Sequence, residues 1–416
     1  MHLQNANRSA MKNQLLLLSL VLLYVLSACH KDPAPVPLRC ADVVIDTSRL
    51  TPAWTFKENY FASIYPAVFG QQVVFSRYAS ESESELLGFD GTSGQLLWQS
   101  IIPAGYLGDR RYRQLGSKLY FKGEPQNLLL SFDVVTQQIE TVWALPTSGH
   151  LSTEFAIQPG FVICPVFQAF SNYDSLQISA YLINLQNGQS RKVVDYNVSS
   201  RSTFNIPGIL DPQATVTTTG DTILCFVKME YDPIIQFYGS RLTILHISTG
   251  AITESEVVRT VYSSGQGNLV VEGNRIWWLA GDKLQCLDIN TGQTVWQVVN
   301  QDYAGSKLLV RQGKILVFDD YTSIQAFDAN TGGLLWSQNS ELYSGDLGGS
   351  FIHNGRLFTV QGGYLVGLDF ETGCPIDKHG FLPGAHIELK SMAASADGKT
   401  IFLLGYENFA AVPVPQ

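Results

Sequence analysis

The sequence predicts an all-β fold, an eight-bladed β-propeller whose blades are four-stranded antiparallel sheets. Three observations support this prediction. A hairpin motif recurs along the chain, short strands with alternating apolar residues precede each copy, and the two chain ends carry complementary parts of one further blade. The motif is clearest in LQCLDINTGQTVWQ (284–297) and IQAFDANTGGLLWS (324–337).

Seven copies of the motif place a polar residue between an alternating strand and a turn. Five copies carry Asp at this position, and two diverged copies carry Asn184 or His246. Successive positions are 43, 51, 62, 42, 40 and 41 residues apart. This period is typical of a four-stranded propeller blade. The five Asp residues are Asp90, Asp133, Asp288, Asp328 and Asp369.

The recurring Asp and Trp residues of the hairpin have structural roles that the sequence predicts. We expect each Asp to accept hydrogen bonds from the turn that follows it, for example from the Thr three positions on. We expect the Trp that closes the hairpin to pack between neighbouring blades, because it supplies a large apolar area. These tryptophans are Trp98, Trp143, Trp296 and Trp336.

The chain ends predict how the ring closes. The segment LKSMAASADGKTIFLLGYENFAAVPVPQ (389–416) offers three strands, and TSRLTPAWTFK (47–57) offers the missing fourth strand with Trp54. Together they form an eighth blade, which removes open sheet edges. If the N-terminal strand does not pair in this way, the count falls to seven blades.

The N-terminus has the pattern of a lipoprotein signal. Lys12 precedes an apolar run at 15–26, which is shorter than the ~20 residues of a membrane span and therefore predicts a secretory signal. Leu-Ser-Ala-Cys at 26–29 resembles the bacterial lipobox, so we expect cleavage before Cys29 and lipid attachment to its thiol; an ordinary signal peptide is the alternative. The predicted organisation is a signal peptide at 1–28, a Pro-rich tether at 29–41 and a propeller at 42–416. Translation starts at Met1 or Met11.

Composition and motifs exclude several classes of function. The net charge of −9, without clusters of Lys and Arg, argues against a nucleic-acid partner. The sequence lacks the CxxCH, GxSxG and HExxH motifs of haem, hydrolase and zinc-protease sites. The remaining five cysteines lack CxxC spacing, and their pairing stays open; three lie in apolar strand-like runs, where we expect buried, small side chains: Cys164, Cys225 and Cys286.

The D-x-x-T-G-x-x-x-W hairpins resemble the repeats of the pyrroloquinoline quinone (PQQ)-like β-propeller superfamily. That group contains quinoprotein alcohol dehydrogenases and also the cofactor-free lipoprotein of the outer-membrane β-barrel assembly machinery. The resemblance covers about residues 42–416. It implies the fold but no particular activity, because scaffolds and enzymes share these packing residues. The enzymes use an adjacent-cysteine disulfide that this chain lacks. We therefore expect no cofactor, metal or catalytic residue, with PQQ and Ca²⁺ as the alternative.

Two adjacent blades carry extra residues between their second and third strands, in FQAFSNYDS (167–175) and MEYDPIIQFYGS (229–240). Equivalent loops of neighbouring blades emerge on one face of the disc, and clusters of exposed aromatic residues are enriched at binding sites. The alternative is that these loops only cap the disc. The candidate partner-binding residues are Phe167, Phe170, Tyr173, Tyr231, Ile234, Ile235, Phe237 and Tyr238.

Together, these features predict a monomeric, non-enzymatic lipoprotein. We expect it to be anchored to the bacterial outer membrane or another envelope membrane, facing the periplasm or the cell surface, where it binds a protein partner. A role in outer-membrane protein assembly is the finer expectation. The alternatives are a PQQ-dependent oxidoreductase and a surface lipoprotein that binds a polysaccharide or another ligand.

Overall fold

The structure is a computed structural model in which strands and turns dominate. None of the helices among the described residues is long and apolar enough to cross a membrane. The structure describes residues 40, 43–57, 66–80, 82–104, 112–123, 127–146, 149–152, 154–169, 175–199, 209–217, 220–232, 237–259, 269–281, 283–299, 307–318, 323–339, 350–361, 363–380, 389–405 and 408–415.

The described strands form eight antiparallel sheets, which confirms the predicted eight-bladed propeller. The N-terminal strand is β1 (Trp54–Lys57). Blade 1 contains β2 (Ala67–Phe69), β3 (Gln72–Ser80), β4 (Glu83–Asp90) and β5 (Leu96–Ile102). Blade 2 contains β6 (Tyr112–Leu115), β7 (Lys118–Gly123), β8 (Leu128–Asp133) and β9 (Gln138–Ala144). Blade 3 contains β10 (His150–Leu151), β11 (Ala156–Gln158), β12 (Phe161–Ala169), β13 (Ser175–Asn184) and β14 (Ser190–Ser199).

The remaining blades follow in chain order. Blade 4 contains β15 (Ile209–Val216), β16 (Thr222–Asp232), β17 (Phe237–His246), β18 (Ile252–Glu254) and β19 (Val258–Arg259). Blade 5 contains β20 (Leu269–Glu272), β21 (Arg275–Ala280), β22 (Lys283–Asp288) and β23 (Thr294–Val299). Blade 6 contains β24 (Lys307–Arg311), β25 (Lys314–Phe318), β26 (Ser323–Asp328) and β27 (Leu334–Asn339). Blade 7 contains β28 (Phe351–His353), β29 (Arg356–Gln361), β30 (Tyr364–Asp369) and β31 (Pro375–His379), and blade 8 contains β32 (Leu389–Ala394), β33 (Thr400–Gly405) and β34 (Asn408–Pro413).

Blades 1–7 run from an inner to an outer strand in chain order, whereas in blade 8 the outer strand is the N-terminal β1. The first strands of several neighbouring blades contact one another, which places the first strand of each blade next to the axis of the ring. Blades 3 and 4 have a fifth strand because one position is divided in two. In blade 3, β10 and β11 both pair with β12, and in blade 4, β18 and β19 both pair with β17.

Among the described residues, the core consists of eight apolar clusters, one between each pair of adjacent blades. Middle strands are buried on both faces and are therefore apolar at almost every position. In β25, Val317 packs toward blade 5 and Leu316 toward blade 7. Because the cluster between blades 8 and 1 is as complete as the others, the ring is closed.

Closure of the ring occurs in blade 8, as predicted. Strand β1 pairs with β34 in antiparallel register, with Trp54 opposite Ala411 and Lys57 opposite Asn408. The junction with blade 1 is rich in aromatic rings, and the centroids of Phe75 and Phe409 are 4.4 Å apart. Such aromatic pairs add about 0.5–1.5 kcal/mol each beyond the area that they bury.

A second N-terminal contact, which the sequence did not predict, holds residues 43–50 against the outer strand of blade 7. The amide of Asp46 donates to the carbonyl of Ile376 at 2.8 Å, and the amide of Lys378 donates to the carbonyl of Asp46 at 2.8 Å. A disulfide joins Cys40 to Cys374, which resolves the pairing that the sequence left open. We call residues 43–50, with this disulfide, the N-terminal latch.

Candidate functional site

The hairpin turns contain the hydrogen bonds that the sequence predicts. In blade 6, Oδ1 of Asp328 accepts from the amides of Asn330 at 3.0 Å and Thr331 at 2.8 Å, and from the Thr331 hydroxyl at 2.9 Å. In blade 1, the amide of Ser93 and then its hydroxyl hold the pKa of the Asp90 carboxyl below its usual value. The recurring Asp residues therefore stabilise turns.

The two diverged hairpins reach the same result with other groups. In blade 3, Oδ1 of Asn184 accepts from the amide of Gln186 at 2.8 Å. In blade 4, His246 occupies the Asp position, and Asp221 supplies the missing carboxylate from the turn before β16. Nδ1 of His246 lies 2.8 Å from Oδ2 of Asp221. Hydrogen bonds from Ser248 and then His246 lower the pKa of Asp221.

The closing tryptophans link neighbouring blades, which confirms the prediction. The indole N–H of Trp296 donates to the carbonyl of Ala329 in blade 6 at 3.2 Å, and that of Trp336 donates to the carbonyl of Phe370 in blade 7 at 3.2 Å. Trp54 makes the equivalent bond to Gly91 across the closure at 3.1 Å. In these three cases, a backbone carbonyl in the hairpin turn of one blade therefore accepts a hydrogen bond from the tryptophan of the preceding blade.

The insertions of blades 3 and 4 lengthen strands rather than forming loops alone. Strands β13 and β17 each contain ten residues, whereas the equivalent strand β26 of blade 6 contains six. Four further residues extend a strand by about 13 Å. We call β12–β13 and β16–β17 the long hairpins. They lie in adjacent blades and project toward the same face of the disc.

The candidate partner-binding residues fall partly within these strands. Phe167 is half-buried and packs against the cluster between blades 3 and 4. The backbone of Tyr231 pairs with that of Tyr238, and Asp232 pairs with Phe237. The prediction that these residues lie in loops is wrong for the backbone of Tyr231, Phe237 and Tyr238, because the antiparallel pairing of β16 with β17 continues to Asp232 and Phe237. Four candidates lie outside the described residues: Phe170, Tyr173, Ile234 and Ile235.

Lys228 lies at the centre of a group of polar contacts near the base of the long hairpins. Nζ of Lys228 in β16 lies 4.8 Å from the ring centroid of Tyr196 in β14. Glu254 lies 3.8 Å from Lys228 and 3.4 Å from Arg241, measured between the charged atoms. The contact of Lys228 with Tyr196 links blade 4 to blade 3, whereas both ion pairs of Glu254 lie within blade 4.

The three cysteines of the apolar strands are buried, as expected, and the structure shows that they are unpaired. Burial raises the pKa of the Cys164 and Cys225 thiols far above its usual value, and raises that of Cys286 to about 11. A buried thiol that stays protonated is a poor nucleophile and a poor metal ligand. Cys29, the candidate lipid attachment site, lies outside the described residues.

One polar cluster in the described part of the chain has the composition of a metal site. Asp46 of the N-terminal latch meets Asp377 and His379 of β31, and one ligand atom from each lies within 4.8 Å of the others. Asp377 and His379 are buried, whereas Asp46 is exposed. The sequence analysis missed this cluster, since Asp46 is 331 residues from Asp377 and neither belongs to a recognisable ligand spacing.

Comparison with known proteins identifies the repeat. Residues 246–415, from the blade 4 hairpin to the end of blade 8, match a PQQ-repeat family model described as outer membrane protein assembly factor BamB. The predicted resemblance to PQQ-like repeats is confirmed. The match covers blades 5–8, which include the clearest copies of the motif at Asp288 and Asp328.

Solved structures agree on the fold. BamB from Moraxella catarrhalis is 15% identical and superimposes with a TM-score of 0.57, over 88% of this chain and all of that chain. The computationally designed Ika8 protein is 12% identical, with a TM-score of 0.55 over 86% of this chain and all of that chain. At these identities the likeness concerns the fold alone. No curated protein sequence matches the chain.

Proposed function

We propose that this protein is a non-enzymatic, membrane-anchored scaffold that presents the long hairpins of blades 3 and 4 to a protein partner in the bacterial envelope. The observation that carries this proposal is the pair of adjacent hairpins, each extended beyond those of the regular blades. A role in outer-membrane protein assembly is supported by the family match of residues 246–415. The recurring acidic residues are engaged in turns, so they supply no catalytic constellation.

The closed ring holds the long hairpins in place, which favours binding to a partner. A scaffold loses less entropy on association when its contact surface is held in place beforehand. The long hairpins are continuous with strands that are buried in the cluster between blades 3 and 4, and the contacts of Lys228 fix their base. A partner would therefore meet a preformed surface. The aromatic candidates are Phe and Tyr residues, which are enriched in the cores of protein interfaces relative to the rest of the surface.

The membrane anchor would leave from the opposite side of the ring. The N-terminal latch lies on blade 7, and in a ring of eight, blades 7 and 8 stand opposite blades 3 and 4. The eleven steps from the proposed lipidated Cys29 to the disulfide at Cys40 span at most ~34 Å as an extended Pro-rich tether. The propeller would thus stay close to the membrane with its long hairpins directed away from the anchor point.

Site-specific photo-cross-linking in intact membranes tests the partner surface. A photoreactive amino acid replaces Tyr238 in the long hairpin of blade 4, and the control replaces Tyr321, between β25 and β26 of the regular blade 6. We expect a discrete cross-linked protein from position 238 and none from position 321. Equal cross-linking from both positions, or none from either, would contradict the proposal.

Lipidation and cofactor binding are tested separately. Mass spectrometry of the membrane-bound chain should show a diacylglyceryl group on Cys29, and Cys29→Ser should release the protein from the membrane. We propose that no cofactor is required. Reconstitution with PQQ and Ca²⁺ should therefore give neither the quinone absorbance nor dye-linked alcohol oxidation. An active reconstituted protein would favour the oxidoreductase.

A further inference from the structure

Blade 7 departs from the other regular blades at one buried position. In blades 1 and 6 the closing tryptophan pairs with a small residue, Gly88 with Trp98 and Ala326 with Trp336. At the same place in blade 7, Gly367 pairs with Asp377. The side chain of Asp377 packs so close that a Cβ on Gly367 would lie 2.4 Å from its Oδ2. A carboxylate that is only 3% exposed thus replaces an indole.

The second buried polar residue is His379, whose hydrogen bonds determine its tautomer. Its Nδ1 lies 2.8 Å from the carbonyl oxygen of Ser48 in the N-terminal latch. A carbonyl only accepts, so Nδ1 carries the proton and neutral His379 has its lone pair on Nε2. Nε2 is fully buried and has no hydrogen-bond partner among the described residues. It lies 3.7 Å from Oδ1 of Asp377, so two atoms with lone pairs face each other.

The third group is the carboxylate of Asp46, which the N-terminal latch brings to this pair. The amide of Ser48 donates to Asp46 Oδ1 at 2.8 Å, and the Ser48 hydroxyl donates to Oδ2 at 3.2 Å. These two hydrogen bonds orient the carboxylate, one oxygen of which lies within 4.8 Å of the ligand atoms of the two buried residues.

We propose that Asp46, Asp377 and His379 bind one divalent d-block cation of the Zn²⁺ class, with water completing the coordination. A separation of 3.7 Å is too long for a hydrogen bond, yet it fits two ligands of one ion at about 2.0–2.2 Å each. Imidazole nitrogen with two carboxylates suits Zn²⁺ better than Mg²⁺ or Ca²⁺, which prefer oxygen ligands alone.

The groups around the cluster have the arrangement found behind metal ligands. A ligating histidine donates its other ring N–H to a carbonyl or carboxylate, as His379 does to Ser48. Ligating carboxylates are hydrogen-bonded as well. Nη1 of Arg356 donates to Oδ2 of Asp377 at 3.0 Å, which leaves Oδ1 available on the side of Nε2. Without a cation, two carboxylates and one lone pair would converge against a single arginine.

The bound ion would fasten the N-terminal latch to the propeller. One ligand comes from the latch and two come from β31, so coordination joins segments that are more than 300 residues apart. The Cys40–Cys374 disulfide joins the same two segments. Because the metal binds the folded arrangement, it should raise the thermal stability of the protein in proportion to its occupancy.

Titration with Zn²⁺ tests the site. The full-length chain in detergent is stripped with EDTA, dialysed, and titrated with ZnCl₂ in a calorimeter. We expect one ion per chain and a higher Tm with the metal bound. Asp46 is exposed, so Asp46→Asn should fold normally while binding Zn²⁺ at least ~10-fold more weakly. The matched control is Asp397→Asn, an exposed Asp in blade 8 whose carboxylate also accepts from a nearby Ser hydroxyl.

Two further measurements distinguish this site from adventitious binding. His379→Gln should abolish the stoichiometric binding, and Co²⁺ bound to the wild-type protein should give a visible absorption band that His379→Gln lacks. Absence of saturable Zn²⁺ binding would overturn the proposal and leave a proton between His379 and Asp377. Binding with the same affinity in Asp46→Asn and wild-type protein would also overturn it.

Discussion

Replacing Gly332 with Ala should destabilise the propeller more than replacing Gly313 with Ala. Both glycines lie in blade 6 with almost the same backbone conformation, φ +73° for Gly332 and +77° for Gly313. A Cβ at position 332 would lie 2.6 Å from Cε3 of Trp296, the tryptophan of blade 5, whereas nothing lies within 4 Å at position 313. The comparison therefore isolates the contact between neighbouring blades from the cost of the backbone conformation.

The size of the effect follows from two terms. An L-residue in the left-handed region costs about 1–2 kcal/mol, and this term is common to both variants. Forcing an extra methyl group against a packed side chain costs about 1–3 kcal/mol more, and only Gly332→Ala has this term. Urea denaturation monitored by far-ultraviolet circular dichroism should show this difference in the free energy of unfolding.

A second substitution shows whether Trp296 is the cause. In a Trp296→Leu background, the smaller side chain leaves space for the new methyl group. The costs of Gly332→Ala and Gly313→Ala should then become nearly equal. Equal costs in the wild-type background, or a difference that survives Trp296→Leu, would refute the interpretation that the tryptophans lock each blade to the next.

Three further predictions concern other parts of the chain. Cys374→Ser should lower the free energy of unfolding by on the order of 5 kcal/mol in guanidinium denaturation, because the disulfide to Cys40 closes a loop of 334 residues; no change would mean that the latch contributes nothing. Asp90→Asn should reduce stability at pH 7 and do so less as the pH falls, since a carboxylate with a lowered pKa contributes stability above its unfolded pKa of ~3.9 and loses it as the pH falls through the folded value; a difference that does not change with pH would contradict this. Cys164 and Cys225 should resist alkylation by iodoacetamide at pH 8 until the protein unfolds, since burial raises their pKa, and rapid labelling of the native protein would show that they are accessible.

The regular part of the fold could be predicted from the sequence because it rests on local chemistry. The Asp and the residue three positions on lie in one turn, so the hydrogen bond between Asp328 and Thr331 can be predicted from the sequence. The closing strand was predictable as well. Trp54 carries the hairpin signature at the N-terminus, while the last three strands lack their fourth partner.

The features that escaped prediction depend on contacts between distant parts of the chain. Nothing near Asp46 indicates that residues 43–50 run beside β31, and five cysteines leave the pairing of Cys40 undetermined. In blade 4, Asp221 supplies the carboxylate that the hairpin lacks. The sequence around His246 does not indicate this, because Asp221 lies in a different turn. The long hairpins were predicted as loops because the sequence shows only that residues are inserted. Whether those residues form strands depends on hydrogen bonding to the facing strand.

Closure of the ring by its own N-terminal strand is the claim on which the account depends, and disulfide trapping tests it directly. Lys57 and Asn408 are direct partners in the β1–β34 pair, so their Cβ atoms should lie about 4.5–5.5 Å apart. A Lys57→Cys/Asn408→Cys double variant should form the intramolecular disulfide under mild oxidation, identified by mass spectrometry of the linked peptide. A Lys57→Cys/Asp397→Cys control should not. Failure of the first pair to link, or equal linking in both variants, would contradict the closed eight-bladed ring.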